Sequence, residues 1–298
     1  MQHPPVADLT IIVANYNNAD FLEAFLQSVN NSEMLPKELV IVDDGSTDRS
    51  PEVLERFSSL PYLRTIFFEK NKGFTAALNS ALEAATAKYI MRADPDDLIR
   101  PQRIRKQLEY LEENHEIDVL GSNASYFESA TGKVINDSNF PIGSLNIKSA
   151  FQKGEHGVLH ATVCAKAEVY KRYRYQPYSP GEDYELFARM IRDGVRFENL
   201  HESLYMVRIH TGSSTSNISY EAIARTFHFR DQIFGTRTGK TRIWFYYHYI
   251  RSYRNYQLSE NLFKKYGNLF LAIICYPSKL IKRIIQQLVV SFAIIGVF

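Results

Sequence analysis

The chain has 298 residues, 45% of them hydrophobic, and a formal net charge of +2 at pH 7. This composition excludes a disordered chain and predicts one large domain or a domain with an appendage. The first ten residues show neither a basic start nor an apolar run, which predicts no secretory signal and a cytosolic body. Cys164 and Cys275 are too few and too far apart for a disulfide scaffold or a cysteine metal site.

Short apolar stretches alternate with helical patterns through the first part of the chain. Strands are predicted at 9–14, 39–42, 62–68, 88–91 and 117–120, and helices at 21–29, 50–57, 75–85 and 102–113. The alternation predicts a doubly wound parallel α/β sheet, which binds ligands beyond the carboxyl ends of its strands.

After Gly121 the pattern loosens, and the strand-like stretches 158–164 and 203–208 stand among Ser, Asn and Gly. A composition change follows near Gly235. Residues 237–298 hold ten Lys or Arg against one acid, Glu260, a net charge of +9 that leaves −7 for the rest. We therefore predict a main domain at 1–236, with a nucleotide half at about 1–120 and an acceptor half at about 121–236. A basic, aromatic helical tail at 237–298 is predicted to face an anionic partner.

Three acids, Asp94, Asp96 and Asp97, crowd the turn after the predicted strand 88–91. Their hard oxygen atoms suit Mg²⁺ or Mn²⁺, which neutralises the charge on a diphosphate leaving group. Alternatively, the acids only cap the next helix. One cap would suffice and three acids repel each other without a cation, so the pattern favours a metal site.

Two more polar clusters, Asn15-Tyr16 and Asp43-Asp44, follow the first two predicted strands. A carboxylate there accepts the imide proton of a uracil or thymine ring while Tyr16 stacks on its face. An ordinary Asp-Asp-Gly-Ser turn is the alternative.

Two acids, Glu182 and Asp183, open a predicted helix. Asp183 is the preferred candidate for the general base that deprotonates an acceptor hydroxyl, and Glu182 is the second candidate. Alternatively, both are ordinary acids in the first turn of a helix. Farther on, Arg208 is a candidate phosphate clamp and His210 a candidate metal ligand. We expect both on a mobile loop before the polar run 212–216, where a merely solvated histidine is the alternative.

Seven fragments, taken in order, resemble family 2 glycosyltransferases, in particular the bacterial branch that builds lipopolysaccharide, capsule and other surface polysaccharides. They span roughly residues 9–216 and read VANYNNADFLEAFLQSV, ELVIVDDGSTDRS, NKGFTAALNSAL, YIMRADPDDLIRPQRIRKQ, HATV, GEDYELFARM and LYMVRIHTGSST. Each fragment is weak by itself, whereas the ordered series is specific.

The resemblance implies an A-type, Rossmann-like glycosyltransferase fold and inverting transfer of a hexosyl or N-acetylhexosaminyl unit from a metal-bound UDP-sugar. By position, Asp44 matches the base-recognising Asp, Asp94 and Asp96 the Asp-x-Asp pair, and Asp183 the catalytic base. The other candidate nucleotide-binding residues are Asn15, Tyr16, Asp43, Lys72, Asp94 and Arg208. The candidate metal ligands are Asp94, Asp96 and His210.

Two departures from the family pattern stand out. Pro95 fills a slot that is often Ala or Ser, and the Gln-x-x-Arg-Trp motif of processive synthases is absent, which argues against a polymerising synthase. The alternative function is a membrane-docked sugar-nucleotide-binding protein without turnover. A nucleotidyltransferase is disfavoured because no Gly-x-Gly-Thr-Arg loop follows the first strand.

The tail carries an amphipathic pattern at 280–292, and the apolar run 269–276 precedes it. Both are too short to span a bilayer, so the tail is predicted to lie on the cytosolic leaflet and to bring the enzyme to a lipid-linked glycan. Upstream tyrosines interleaved with arginines suit lipid headgroups. Single-stranded nucleic acid would suit them too, but it is not the expected partner, and a helical hairpin packed on the body or on another subunit is the remaining alternative.

Overall fold

A computed structural model of the chain describes residues 4–178, 180–210, 219–259 and 261–277. The chain divides into two compact units, Met1–Ser216 and Asn217–Phe298. This boundary lies before the composition change near Gly235 and places the helix Tyr220–Phe234 in the second unit. Within that unit, Phe227 of this helix shares a small core with Tyr246.

The first unit is built on a nine-stranded sheet that begins with four parallel strands. They are β1 (Val6–Asn15), β2 (Leu35–Asp43), β3 (Leu63–Phe67) and β4 (Tyr89–Arg92). The helices after the first three strands are α1 (Ala19–Asn30), α2 (Ser50–Arg56) and α3 (Phe74–Ala84). The central apolar runs, residues 9–13 of β1 and 39–42 of β2, are fully buried, which explains their near-continuous hydrophobic character. The predicted alternation is confirmed here.

Beyond β4 the sheet is mixed. The remaining elements of this unit are β5 (Leu98–Ile99), α4 (Arg103–Glu113), β6 (Val119–Glu128), β7 (Val134–Asp137), α5 (Ser144–Gln152), β8 (Cys164–Lys166), α6 (Ala167–Arg172), α7 (Glu182–Arg192) and β9 (Phe197–Ile209). The strand order is β3-β2-β1-β4-β8-β6-β9-β5, with β7 beside β6. The predicted α/β fold is confirmed, but the run of parallel strands is interrupted after β4, because β8 runs antiparallel to both β4 and β6. Beyond β8, β6 and β9 again pair in parallel.

The strand expected at 158–164 is wrong for most of its length. His160–Thr162 form a 3₁₀ turn, in which the backbone N–H and the Oγ1 hydroxyl of Thr162 donate to the carbonyl of Leu159 at 2.9 and 2.8 Å. Nη2 of the Arg103 side chain donates a hydrogen bond to the carbonyl of Ala161 at 2.9 Å. Strand pairing therefore starts only at Cys164, whereas the strand expected at 203–208 is confirmed within β9.

The second unit contains α8 (Tyr220–Phe234), α9 (Lys240–Leu258) and α10 (Leu262–Cys275). The ring of Tyr276, just after α10, lies 5.8 Å from that of Tyr249 and 6.1 Å from that of Tyr246, both on α9. Among the described residues, no helix has the length and apolar character needed to cross a bilayer. The amphipathic pattern predicted at 280–292 lies outside the described residues.

Candidate active site

The first polar cluster forms where β1 and β2 end. Asn15 and Asp43 are the last residues of these strands and are register partners, and Asn15 Nδ2 donates to Asp43 Oδ2 at 2.7 Å. Ser46 donates to the same carboxylate through its backbone N–H at 2.9 Å and its hydroxyl at 2.8 Å. Asp43 is 1% exposed, and its oxygens are engaged by the turn. Its position supports a role in fixing the loop.

The carboxylate of Asp44 points to a different segment. It accepts the backbone N–H of Lys72 at 2.6 Å and that of Gly73 at 2.9 Å, and so fastens the start of α3 to the rim of the sheet. The approach requires Gly45, which has φ +69°, because an added Cβ would lie 2.6 Å from the carbonyl carbon of Lys70. The loop is therefore fixed by backbone contact.

Tyr16 and Lys72 are the exposed side chains of the first cluster. Tyr16 is 45% exposed, and the Lys72 ammonium lies 4.2 Å from the ring centroid of Phe68. Next to Tyr16, Asn17 accepts the N–H of Thr47 at 2.8 Å through Oδ1, which ties the two loops together. An exposed aromatic face and an exposed ammonium suit a nucleotide base and a phosphate.

The turn after β4 is held from three directions. Arg92, with a side chain that is 0% exposed, forms an ion pair with Asp94 Oδ1 and donates to the carbonyl of Ala93. The N–H of Asp94 donates to the hydroxyl of Tyr205 at 2.8 Å. Arg103 on α4 donates to the carbonyl of Arg92 at 2.9 Å. Asp94 thus stands on a rigid support.

Asp96 and Asp97 have different surroundings. Asp96 Oδ2 lies 3.1 Å from His210 Nε2. Burial and then the charge of Asp94 raise the pKa of Asp96 above its ordinary value, although His210 acts in the opposite direction. Asp97 is 4% exposed and accepts the N–H of Arg208 at 2.7 Å, and burial raises its pKa well above the usual range. Asp97 therefore joins the turn to β9, whereas the side chains of Asp94 and Asp96 are 29% and 25% exposed and form the more open pair.

Arg208 and His210 reach the same turn from β9. The guanidinium carbon of Arg208 lies 5.1 Å from the ring centroid of Phe21 and 4.7 Å from that of Phe127, and its Nε donates to the carbonyl of Asp96 at 2.7 Å. The ring of His210 packs 4.6 Å from that of Phe21. The loop expected for Arg208 is wrong because this residue pairs within β9. The polar run 212–216 lies outside the described residues.

The turn has the oxygen donors of a nucleotide-dependent metal site. The contacts above engage one carboxylate oxygen of Asp94 and one of Asp96. In the described part of the chain, no three His, Cys, Asp or Glu side chains are grouped closely enough to hold an ion alone. Nucleotide-bound Mg²⁺ takes one or two carboxylates and completes its shell with phosphate and water, so the residues fit such an ion. Repulsion among the three acids favours a metal ion less strongly than the sequence suggested, because Arg92 and His210 already lie beside them.

A second acidic cluster lies at the start of α7, after Gly181 with its left-handed φ of 109°. Asp183 Oδ1 accepts the N–H of Tyr184 at 2.7 Å, and Oδ2 lies 3.6 Å from His156 Nδ1. Burial raises the pKa of Asp183, but attraction to His156 and His160 and hydrogen bonds from backbone N–H groups outweigh it, and the net pKa is lowered. Asp183 is therefore ionised at neutral pH.

Glu182, beside it, has the opposite electrostatics. Burial and then the charge of Asp183 raise the pKa of Glu182 to about 7. Its Oε2 is buried and has no hydrogen-bond partner among the described residues. At neutral pH, Asp183 is ready to accept a proton while Glu182 partly holds one. This difference supports the prediction that Asp183, rather than Glu182, is the general base.

The sequence interpretation missed three residues around this cluster, Arg92, His156 and His160. His160 Nε2 lies 2.6 Å from the hydroxyl of Tyr175, and burial followed by the charge of Arg92 lowers the pKa of His160 to about 4, so its ring is neutral. The charge of Arg92 acts on both Asp94 and Glu182, which connects the two acidic clusters. The fragment HATV signalled His160, whereas no motif marks His156.

The mixed α/β sheet, the polar rim and the Asp-x-Asp turn define an A-type glycosyltransferase fold. The structure of TarS from S. aureus in complex with UDP-GlcNAc matches with a TM-score of 0.64 at 20% identity, over 91% of this chain and 82% of that chain. The mannosyltransferase PcManGT from Pyrobaculum calidifontis, in complex with GDP-Man and Mn²⁺, matches with a TM-score of 0.56 at 16% identity, over 95% and 80%. At these identities the likeness establishes the fold.

The sequence relatives establish the family. The model of Glycosyl transferase family 2 matches residues 10–174, just over half of the chain. The amylovoran biosynthesis glycosyltransferase AmsE from Erwinia amylovora is 29% identical over 203 residues, 67% of this chain and 75% of the relative. The chain belongs to glycosyl transferase family 2 and is a transferase enzyme. The family match includes the turn that carries Asp94 and Asp96 and ends before Glu182 and Asp183.

Proposed function

We propose that the chain is an inverting, non-processive glycosyltransferase. It moves one hexosyl or N-acetylhexosaminyl unit from a UDP-sugar to a growing surface polysaccharide or a lipid-linked glycan. The observation that carries this proposal is the pair of acidic clusters, Asp94–Asp96 and Glu182–Asp183, with the buried Arg92 acting on both. The name of AmsE supports polysaccharide synthesis, and the TarS complex with UDP-GlcNAc supports a UDP-sugar.

The nucleotide lies across the first cluster in this proposal. Tyr16 stacks on the base, and the Asp44 carboxylate accepts the imide proton while it also holds the Lys72 and Gly73 N–H groups. The structural role of Asn15 and Asp43 is to fix the loop. The cationic side chains of Lys72 and Arg208 serve the diphosphate.

Asp183 is the general base of the proposed reaction. The acceptor oxygen bonds to the anomeric carbon as the bond from that carbon to the diphosphate oxygen breaks, and the hydroxyl proton passes to Asp183. A single displacement inverts the anomeric configuration. The lowered pKa of Asp183 supports this role, because an ionised carboxylate is ready to accept a proton.

Asp94 and Asp96, with His210 alongside, are the residues that would hold Mg²⁺ or Mn²⁺. When bound, the ion neutralises charge on the diphosphate. The ion pair between Arg92 and Asp94 keeps one carboxylate oxygen in place and leaves the other to face the donor. PcManGT, which carries Mn²⁺, supports a divalent ion.

The second unit supports a location on an anionic, inner membrane surface. Helix α10 contains no acid, and its two lysines are Lys264 and Lys265. Seven of its large apolar side chains are at least 41% exposed: Leu262, Phe263, Tyr266, Phe270, Leu271, Ile273 and Ile274. An exposed apolar face with basic residues is typical of helices that lie in a lipid interface. The alternative of a packed hairpin accounts for the tyrosines between α9 and α10 but not for this face.

Product analysis tests the proposal. The full chain is incubated with a panel of nucleoside diphosphate sugars and lipid-linked glycan acceptors, with Mn²⁺, Mg²⁺ or EDTA, and the product linkage is determined by NMR. We expect one sugar per acceptor, inverted configuration and loss of activity in EDTA. Retained configuration or several added units would overturn the proposed reaction. Tight donor binding without transfer or hydrolysis would instead support a sugar-nucleotide-binding protein.

A further inference from the structure

His156 lies in the loop after α5, outside every sequence motif considered above. Its Nδ1 is 3.6 Å from Oδ2 of Asp183, and Asp183 is its one ion-pair partner within the part of the chain that the structure describes. The His156 side chain is 43% exposed, whereas that of Asp183 is 23% exposed. His156 is therefore the more solvent-exposed member of the pair.

The backbone on both sides of His156 is fixed. The N–H of Glu155 donates to the carbonyl of Ala150 at 3.0 Å, and Asn199 Nδ2 donates to the carbonyl of Gly157 at 2.8 Å. An added Cβ on Gly157 would lie 2.9 Å from the carbonyl oxygen of Ile147, so this turn packs tightly on α5.

The imidazole ring itself is held by two aromatic side chains. Its centroid lies 5.4 Å from that of Tyr184 and 6.5 Å from that of Phe151, at interplanar angles of 76° and 62°. Tyr184 and Phe151 are buried. The geometry aims Nδ1 at Asp183 by packing rather than by a surface contact alone.

Other titratable groups also face Asp183. They are Glu182 on the same helix, His160 in the 3₁₀ turn, and Tyr175. His160 is neutral because its pKa is lowered to about 4, chiefly by burial. Glu182 carries the same sign of charge as Asp183 when ionised. His156 is the histidine within ion-pair distance of Asp183, and backbone N–H groups add to its stabilising effect on the carboxylate.

We propose that His156 is a positioning residue for the base, which stabilises the ionised Asp183 carboxylate and holds it oriented toward the acceptor hydroxyl. This inference rests on the proposed role of Asp183. The net lowering of the Asp183 pKa supports it, since burial alone acts in the other direction. Without the imidazole, burial is less opposed and Asp183 must take up its proton at higher pH.

The test compares His156→Gln, which replaces the imidazole by a neutral amide, with His156→Lys, which places an ammonium there. His115→Gln is the control, because His115 is exposed and belongs to neither acidic cluster. The Asp183 carboxyl is titrated by ¹³C NMR in the full chain, with its signal assigned by its absence in Asp183→Asn. Donor affinity and acceptor turnover are measured in parallel.

We expect His156→Gln to raise the Asp183 midpoint by about half a pH unit and to lower turnover several-fold, with unchanged donor affinity. His156→Lys should restore most of the midpoint, and His115→Gln should match the wild type. An unmoved midpoint in His156→Gln, or a midpoint that moves equally in both His156 variants, would overturn the inference. Failure of the proposed function is a separate result, namely wild-type turnover by Asp183→Asn.

Discussion

Replacement of Gly45 by alanine is expected to loosen the contact between the loop after β2 and the segment 70–73. An added Cβ at Gly45 would lie 2.6 Å from the carbonyl carbon of Lys70 and 2.7 Å from the backbone nitrogen of Asn71. These are backbone atoms, so no side-chain rotation relieves the contact and the segment must shift. Gly132 is a matched control, because it has φ +70° against +69° at Gly45 and nothing within 4 Å of an added Cβ.

Both variants carry the cost of alanine in the left-handed region, about 1–2 kcal/mol. This cost lowers the melting temperature by about 2–8 °C in a unit of this size. In Gly45→Ala, the shift also strains the bonds from Lys72 and Gly73 to Asp44. A hydrogen bond to a charged group contributes about 1.5–3 kcal/mol, so loss of one bond lowers the melting temperature by a further 3–12 °C, roughly.

Thermal unfolding and calorimetric titration with UDP measure the two effects. We expect UDP affinity to fall about tenfold or more in Gly45→Ala, and to stay at the wild-type value in Gly132→Ala. Equal losses of melting temperature and equal UDP affinities in the two variants would refute the anchoring of the segment 70–73 by close backbone approach.

Three further predictions concern other parts of the molecule. Asp96→Asn should abolish transfer and weaken Mn²⁺-dependent UDP binding with little change in melting temperature, since its side chain is 25% exposed at the rim. Wild-type rates in EDTA would contradict this. Glu182→Gln should remove a pH dependence of stability: with a folded pKa of about 7 against an ordinary 4.5, the Glu182 contribution is present below pH 4.5 and is lost as pH rises through 7. The loss in the free energy of unfolding is at most about 3 kcal/mol, and urea unfolding at pH 5 and pH 8 measures it. If this free energy changed equally between the two pH values in wild type and variant, the result would count against the prediction. Phe263→Asp should lower binding of the full chain to anionic vesicles about tenfold, because Phe263 is 95% exposed on α10. Leu145→Asp, at an 83% exposed position on α5, should leave vesicle binding unchanged. Equal sedimentation of the two variants with vesicles would contradict a membrane role for α10.

Local sequence patterns predicted the rim of the site well. β1 and β2 are apolar runs that end in polar residues, and carboxyl ends of neighbouring parallel strands meet at one edge. The close contact of Asn15 and Asp43 follows from that rule. Sequence did not separate the roles of Asp43 and Asp44, because adjacent side chains at a strand end point in opposite directions and only the fold supplies their partners.

Long-range packing determined the features that the sequence did not predict. β8 is three residues long, and its antiparallel position between β4 and β6 depends on contacts far apart in the chain. Arg92 lies just after the predicted strand 88–91, and its burial is compensated by Asp94 and the carbonyl of Ala93. The contact of His156 with Asp183 joins residues from separate elements and has no local pattern.

The role of Asp183 as the base is the central claim, and single-turnover kinetics of Asp183→Asn test it most directly. Asparagine keeps the size and the backbone contact but accepts no proton. With saturating UDP-sugar and acceptor, the chemical step is predicted to slow by about 10²–10⁴-fold, and the donor dissociation constant should stay within about twofold of the wild type. A chemical step at the wild-type rate, or an equal loss in donor binding, would contradict the account.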